Sequence, residues 1–264
     1  MSVPVDIVLL AILGFVFGSF LNVCIYRLPR GESVVEPRSH CPSCKAFLRW
    51  FDNVPLLGYV MLRGRCRECK AVISSVYPLV ECATAILFIV QYVVVGNSPV
   101  LVVRLLFSSL MVVLFVTDFQ HRVLPNTVTI PGVIVGWCCS WVVAPGWLDA
   151  SLGIVVGATF FIVLSEAYYR VSGREGLGMG DVKMLAMIGA FLGWELMLFT
   201  MLMASFLGVL VWIVIVMSGH GDVRYRLPLG SFLAISAVVM SAVGPVILTW
   251  WYATVFSWSA FLFS

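Results

Sequence analysis

The amino-acid sequence predicts an all-α polytopic membrane protein with about eight transmembrane helices and a small domain between the first two. Of its 264 residues, 61% are hydrophobic and 11% are charged, whereas soluble domains average about 45–50% and about 25%. Apolar runs of roughly the 20 residues that a spanning helix needs follow one another along the chain. Nearly all Lys and Arg residues lie in a few short polar segments between these runs.

The first apolar run, Ile7 to Tyr26, is long enough to cross a bilayer. It lacks the basic start and small-residue cleavage site of a secretory signal, so we expect it to be retained as the first helix. The sixth predicted span is short, and its join to the seventh at Gly193-Trp194-Glu195 is the weakest boundary. The predicted spans after the first are 78–95, 100–117, 127–145, 150–169, 181–194, 195–217 and 231–255.

Three glycine pairs have the GxxxG spacing that lets the backbones of membrane helices approach closely. The alternative is chance spacing in a glycine-rich membrane protein. The pairs are Gly14/Gly18, Gly153/Gly157 and Gly189/Gly193.

The basic residues predict the orientation of the chain. Segments 27–76, 118–126, 170–183 and 218–230 carry 9, 1, 3 and 2 Lys or Arg residues, which is 15 of the 16. With eight spans these segments all lie on one side, and the positive-inside rule makes that side the cytoplasm. Both termini are then expected on the periplasmic side.

Segment 27–76 contains two Cys-x-x-Cys pairs 21 residues apart. A domain this small usually needs a metal or disulfides to fold, and a cytoplasmic location disfavours disulfides. Four thiolates predict a tetrahedral zinc site, which is structural because no ligand position stays open. The alternative is two redox motifs, but the surrounding sequence has no βαβ pattern. The four ligands are Cys41, Cys44, Cys66 and Cys69.

Three acidic residues lie in or at the ends of predicted spans, where an ionisable group is costly and is a candidate for function. Asp118 closes the third span, Asp181 opens the sixth, and Glu81 lies just inside the second.

The two aspartates could share one site if their helices pack together. One of them would then hold a proton, as in an aspartic protease, and the pair could polarise water and protonate a leaving amine. Gly178 and Gly180 would leave room for a substrate backbone beside Asp181. The alternative is that Asp181 is only the N-cap of a helix.

The sequence is similar to the type IV prepilin peptidases, bifunctional leader peptidases and N-methyltransferases of the GxGD class. The resemblance is collinear and rests on several independent stretches. They are "GSFLNVCIYRLPRGESVVEPRSHCPSCK", "WFDNVPLLGYVMLRGRCRECKAVISSVYPLVE", "TDFQHRVLPNTVTIP", "GLGMGDVKMLAMIGAFLG" and "RLPLGSFLAISA".

This resemblance implies that Asp118 and Asp181 are the catalytic aspartates. The expected supporting residues are Gly178, Gly180, Lys183 and Glu81. The implied enzyme cleaves the basic leader of type IV prepilins or type II secretion pseudopilins after a glycine at the cytoplasmic face of the inner membrane. It then methylates the new N-terminus with S-adenosylmethionine, whose binding residues the sequence does not indicate.

The resulting domain prediction is a first transmembrane helix (1–26), a cytoplasmic tetracysteine zinc domain (27–76) and a transmembrane aspartic protease core (77–264). The lipid bilayer and a prepilin or pseudopilin are the expected partners, and the basic residues lack the interleaved aromatics of a nucleic-acid surface. Two other functions stay open. One is a leader peptidase without methyltransferase activity, and the other is a transporter, whose acids would be expected near the bilayer midplane.

Overall fold

The computed structural model describes residues 3–173, 178–218 and 227–262, and within these ranges the chain is mostly helical apart from the loop between the first helix and residue 76. The helices are α1 (Val3–Arg27), α2 (Leu57–Met61), α3 (Val76–Val95), α4 (Pro99–His121), α5 (Asn126–Cys139), α6 (Trp147–Ser172), α7 (Met179–Met217) and α8 (Leu229–Leu262). Two short 3₁₀ turns and two isolated antiparallel β-bridges lie between α1 and α3. The predicted all-α class is therefore confirmed.

Six helices of the described chain are long and apolar enough to cross a membrane, and the predicted count of eight is not confirmed. The six are α1, α3, α4, α6, α7 and α8. Of the four basic segments, 170–183 and 218–230 lie partly outside the described residues.

The predicted fourth span, 127–145, is longer than the helix that forms there. Helix α5 has 14 residues, or about 21 Å at 1.5 Å per residue, against a hydrocarbon core of about 30 Å. Beyond Cys139 the chain continues in turns, and the rings of Trp141 and Trp147 stack with their centroids 5.6 Å apart. Aromatic residues of this kind are common where a membrane meets water, so apolar character here extends past the end of the helix.

The predicted sixth and seventh spans belong to one element, α7, which is interrupted at Gly193. This residue has φ 82° and ψ 170°, outside the helical range. A positive φ favours glycine, and this glycine lies next to the boundary predicted between Trp194 and Glu195. The sequence thus located the interruption, while the two pieces remain joined as a kinked helix.

The chain divides into two compact units, residues 1–127 and 128–264. In the first unit α1 packs against α3 through the Gly14/Gly18 pair. A Cβ atom on Gly14 would lie 2.5 Å from Cα of Ala85, and one on Gly18 would lie 2.6 Å from Cα of Glu81. These approaches are shorter than any side chain allows, so the predicted role of this pair in close packing is confirmed.

In the second unit α7 packs between α6 and α8, and glycines again set the spacing. A Cβ atom on Gly153 would lie 2.5 Å from the carbonyl oxygen of Gly189, and one on Gly157 would lie 3.1 Å from that of Leu185. Close packing through Gly153/Gly157 is therefore confirmed, with Gly189 as the facing residue. The first half of α7 is buried, including Met184, Leu185, Met187 and Ile188.

Candidate functional site

The four predicted zinc ligands lie together in the loop between α1 and α3. Their sulfur atoms all lie within 4.8 Å of one another. The Sγ atoms of Cys41 and Cys69 are 3.8 Å apart, and those of Cys44 and Cys66 are 4.0 Å apart. With Zn–S bonds of about 2.3 Å, a tetrahedral site has sulfur atoms about 3.8 Å apart. The cluster is therefore suited to hold one tetrahedral metal ion such as zinc.

Each Cys-x-x-Cys pair lies in the same kind of turn. The N–H of Lys45 donates to the carbonyl of Cys41 and that of Lys70 to Cys66, and both lysines have a left-handed backbone with φ near 60°. The repeated pattern Cys-x-x-Cys-Lys-Ala (41–46 and 66–71) is visible in the sequence and encodes this turn twice. Each turn therefore presents two thiols to the same point.

Hydrogen bonding within the first turn favours a thiolate. The backbone N–H of Cys44 donates to the Cys41 sulfur and, with smaller contributions from neighbouring groups, lowers the pKa of Cys41 to about 6. Metal ligation requires a deprotonated thiol. Cys41 thus ionises readily, whereas burial and hydrogen bonds with the other three cysteines raise the pKa of Cys69 to about 11, so that a bound metal would have to displace that proton.

An ion pair that the sequence did not predict ties the second turn to the rest of the loop. The Arg67 guanidinium donates to both carboxylate oxygens of Asp52, at 2.6 and 3.2 Å. These charge-assisted bonds hold the pKa of Asp52 below its ordinary value. Because Arg67 lies between Cys66 and Cys69, the pair orients the cysteine cluster against the 3₁₀ turn at Trp50–Asn53. No local motif in the sequence pairs these two residues.

Glu81, the third acid singled out from the sequence, is buried in α3 with 7% of its surface exposed. Its carboxylate accepts a hydrogen bond from the backbone N–H of Leu56 at 2.7 Å and another from the Ser19 hydroxyl. Leu56 has φ 58° and precedes α2. A positive φ is unusual for a leucine, so Glu81 helps to hold a strained backbone beside the metal-site loop.

A cavity of about 460 Å³ lies between the metal site and the membrane helices of the first unit. Residues of α1, the loop, the start of α3 and the end of α4 line it, among them Tyr26, Cys41, Asp52, Tyr77 and Glu81. Its size falls within the range of about 300–1,000 Å³ typical of small-molecule sites. The sequence indicated Cys41 and Glu81 separately, but the cavity depends on how the loop folds back onto the helices.

Asp118 lies in the last turn of α4, in the first unit, with 6% of its surface exposed. The backbone N–H of Arg122 donates to its carbonyl at 2.8 Å and closes the helix. A carboxylate buried at a helix C-terminus lies in the unfavourable negative end of the helix dipole. Such a position makes Asp118 a candidate for proton transfer.

Asp181 lies in the first turn of α7, in the second unit. The N-cap is Gly178, and Asp181 is the third helical residue. The interpretation of Asp181 as the N-cap is therefore wrong, because the helix begins two residues earlier, at Met179. A Cβ atom on Gly178 would lie 3.7 Å from the Asp181 carboxylate, which is an ordinary contact distance, so the supporting role of this glycine stays a prediction. Gly180 and Lys183 lie in the same first turns of α7.

Two family models match the chain on either side of residue 100. Residues 12–95 match the Bacterial Peptidase A24 N-terminal domain, and residues 105–213 match the Type IV leader peptidase family. A protein of Pseudomonas putida named prepilin leader peptidase/N-methyltransferase is 35% identical, over 87% of this chain and 88% of its own length. The chain belongs to the type IV leader peptidase family.

Other relatives of the chain carry the same printed name. A protein of Aeromonas hydrophila is 33% identical over 94% of both chains. A protein of Myxococcus xanthus is 40% identical over 81% of this chain, and the chain spans 64% of that protein's length. No solved structure matches the chain.

Each of the two family matches contains some of the candidate functional groups of the chain. The N-terminal match contains the tetracysteine cluster, Glu81 and most of the cavity lining, whereas the second match contains Asp118 and Asp181. The resemblance stated from the sequence motifs is thus confirmed.

Proposed function

We propose that this member of the leader peptidase family removes the basic leader of type IV prepilins or type II secretion pseudopilins and methylates the new N-terminus. Cleavage follows a glycine on the cytoplasmic side of the inner membrane. The observation that carries the proposal is the joint match to both family models by a chain whose relatives are named for both activities. The transporter alternative is not favoured by this family membership.

Asp118 and Asp181 are the proposed catalytic pair. Asp118 is buried at the end of α4, and Asp181 lies in the first turn of α7 with no side chain on the neighbouring Gly178. In the proposed reaction one carboxylate takes a proton from a water molecule, and the oxygen of that water adds to the scissile carbonyl carbon. The other carboxyl protonates the leaving amine as the C–N bond breaks. A shared site keeps one member protonated, because two adjacent carboxylates do not both ionise readily.

The proposed metal is zinc, held by Cys41, Cys44, Cys66 and Cys69. The sulfur spacing of the cluster supports it. Zinc there would fold and orient the loop rather than activate water, since four protein ligands fill a tetrahedral shell.

The second activity needs a methyl donor, for which we propose S-adenosylmethionine. When bound, it supplies an electrophilic methyl group on a cationic sulfur. The chain would have to hold the donor near the amine that leader cleavage releases. In the transfer the amine nitrogen forms a bond to the methyl carbon and loses a proton. The bond from that carbon to sulfur breaks, and its electron pair stays on sulfur.

Labelling of introduced cysteines in intact cells tests the proposed topology. We expect positions in 27–76 to be protected from an impermeant reagent and positions in 96–98 and 146–149 to react, because the basic residues concentrate in the first set. Permeabilised cells, in which both sets should react, are the control. Labelling of 27–76 from outside would contradict the orientation and place the metal-site loop away from a cytoplasmic leader.

The proposed function itself is tested by incubating the purified enzyme with candidate prepilins and S-adenosylmethionine. The intact mass of the product should show loss of the leader and gain of one methyl group. Cleavage without methylation would support the leader peptidase that lacks methyltransferase activity. Absence of both changes for every prepilin of the source genome would reject the proposal.

A further inference from the structure

We propose that the cavity in the first unit is the binding site for the methyl donor, with Glu81 compensating a positive charge of the donor. The inference rests on the proposed function, because it assigns residues to the methyltransferase half of that function.

The charge on Glu81 is the first reason. Its carboxylate is buried and lines the cavity, and its described hydrogen bonds come from two neutral donors, the N–H of Leu56 and the hydroxyl of Ser19. Among the described residues no Lys, Arg or His forms an ion pair with it. A buried carboxylate without a cation is costly. A cationic ligand in the cavity would remove that cost.

The cavity lining contains two other acids, Asp52 and Glu68, of which Glu68 is exposed. Asp52 forms two bonds to Arg67, and Arg27, which is buried in the same wall, donates to the carbonyls of Ser33 and Pro37. These contacts leave Glu81 as the buried anion able to meet a ligand within the described part of the cavity.

The remaining lining is suited to a nucleoside. The side chains of Tyr59 and Tyr77 line the cavity and are each partly exposed. Aromatic rings of this kind stack on bases. S-adenosylmethionine combines a cation, which Glu81 could meet, with an aromatic base, which a tyrosine ring could stack on. The proximity of Cys41 and Cys66, which also line the cavity, means that the metal site shapes one wall of the donor site.

The test compares the Glu81→Gln variant with the unsubstituted enzyme by equilibrium binding of S-adenosylmethionine and S-adenosylhomocysteine. Glutamine keeps the shape and an oxygen that can accept from Leu56, but it removes the charge. We expect the Kd for S-adenosylmethionine to rise about thirtyfold or more, as is typical when one member of a buried charge pair is truncated. Glu32→Gln, an exposed acid of the same loop outside the cavity lining, should leave both values unchanged.

The two ligands identify which charge Glu81 meets, because S-adenosylhomocysteine has the same ammonium group but a neutral sulfur. Weakening of S-adenosylmethionine alone supports pairing with the sulfonium, and equal weakening of both supports pairing with the ammonium. Metal content should be retained, which shows that the metal-site loop of the variant is folded.

Unchanged binding of both ligands by Glu81→Gln would overturn the proposed site while leaving the proposed function intact. So would a raised KM for leader cleavage with unchanged donor binding, which would assign Glu81 to the basic leader instead. Absence of donor binding by the unsubstituted enzyme would reject both the site and the methyltransferase half of the function.

Discussion

Asp118→Asn and Asp181→Asn are each expected to lower the rate of leader cleavage by about 10³-fold or more. Each substitution leaves the side-chain shape but removes one member of the proposed acid–base pair, and groups that act as a unit fail together when one is lost. The measurement is the rate of leader removal from a purified prepilin. Methylation of a peptide supplied without its leader should be retained in both variants.

A matched control for Asp181 exists in the neighbouring helix of the same unit. Asp149 is the third residue of α6, after N-cap Gly146, just as Asp181 is the third residue of α7 after N-cap Gly178. An acid at that position stabilises a helix through its dipole by about 0.3–1 kcal/mol. Asp149→Asn therefore removes the same stabilisation of a helix start, and the variant enzyme should cleave the leader at the normal rate.

The comparison with Asp149 separates chemistry from stability. If Asp181 acted only at the helix start, both variants would lose a little stability and retain cleavage. Near-normal cleavage by Asp118→Asn or Asp181→Asn would contradict the assignment of the catalytic pair. A loss shared by Asp149→Asn would indicate that the assay reports folding of the second unit instead.

Local pattern was sufficient for the features that depend on nearest neighbours in sequence. The two Cys-x-x-Cys pairs each form one turn, and two such turns can bring four sulfurs to one ion without any further information. Gly14, Gly18 and Gly153 could be predicted at helix contacts because a membrane helix with small residues at four-residue spacing has one face that admits another backbone.

Features that depend on the end of an element were less predictable. Apolar composition continues beyond Cys139, so hydropathy alone extended α5 into turns that aromatic residues occupy. Asp181 was considered as an N-cap because acids are common there, yet Gly178 takes that position. At the ends of helices the same residue types occur in the helix, in a turn or at the membrane interface. The order of residues therefore does not show which of these structures forms.

Contacts between distant segments could not be read from the sequence. The Asp52–Arg67 pair spans 15 residues, and the bond from Leu56 to Glu81 spans 25. Both depend on the path of the loop, which brings the metal site back to α1 and α3. The cavity follows from the same path, so its lining was not assignable although Glu81 itself was singled out.

Replacement of Cys41, Cys44, Cys66 and Cys69 together by serine is expected to abolish metal binding. The purified unsubstituted protein should carry one zinc per chain, and the four-serine variant none. Structural zinc contributes about 10–16 kcal/mol of apparent binding free energy in zinc-finger peptides at neutral pH. Because a loop of this size has little core of its own, the variant should also become sensitive to proteases between α1 and α3.

The two activities should respond unequally to this loss. The cavity is lined by the metal-site loop, whereas Asp118 and Asp181 lie on α4 and α7, so methylation should fall far more than leader cleavage. Cys138→Ser with Cys139→Ser is the control, since these two cysteines lie at the end of α5 and should leave the zinc content at one per chain. Stoichiometric zinc in the four-serine variant would reject the site. Equal loss of cleavage and methylation would instead mean that the zinc loop supports the whole enzyme. If the loop shaped only the donor site, its loss would leave cleavage by the two aspartates intact.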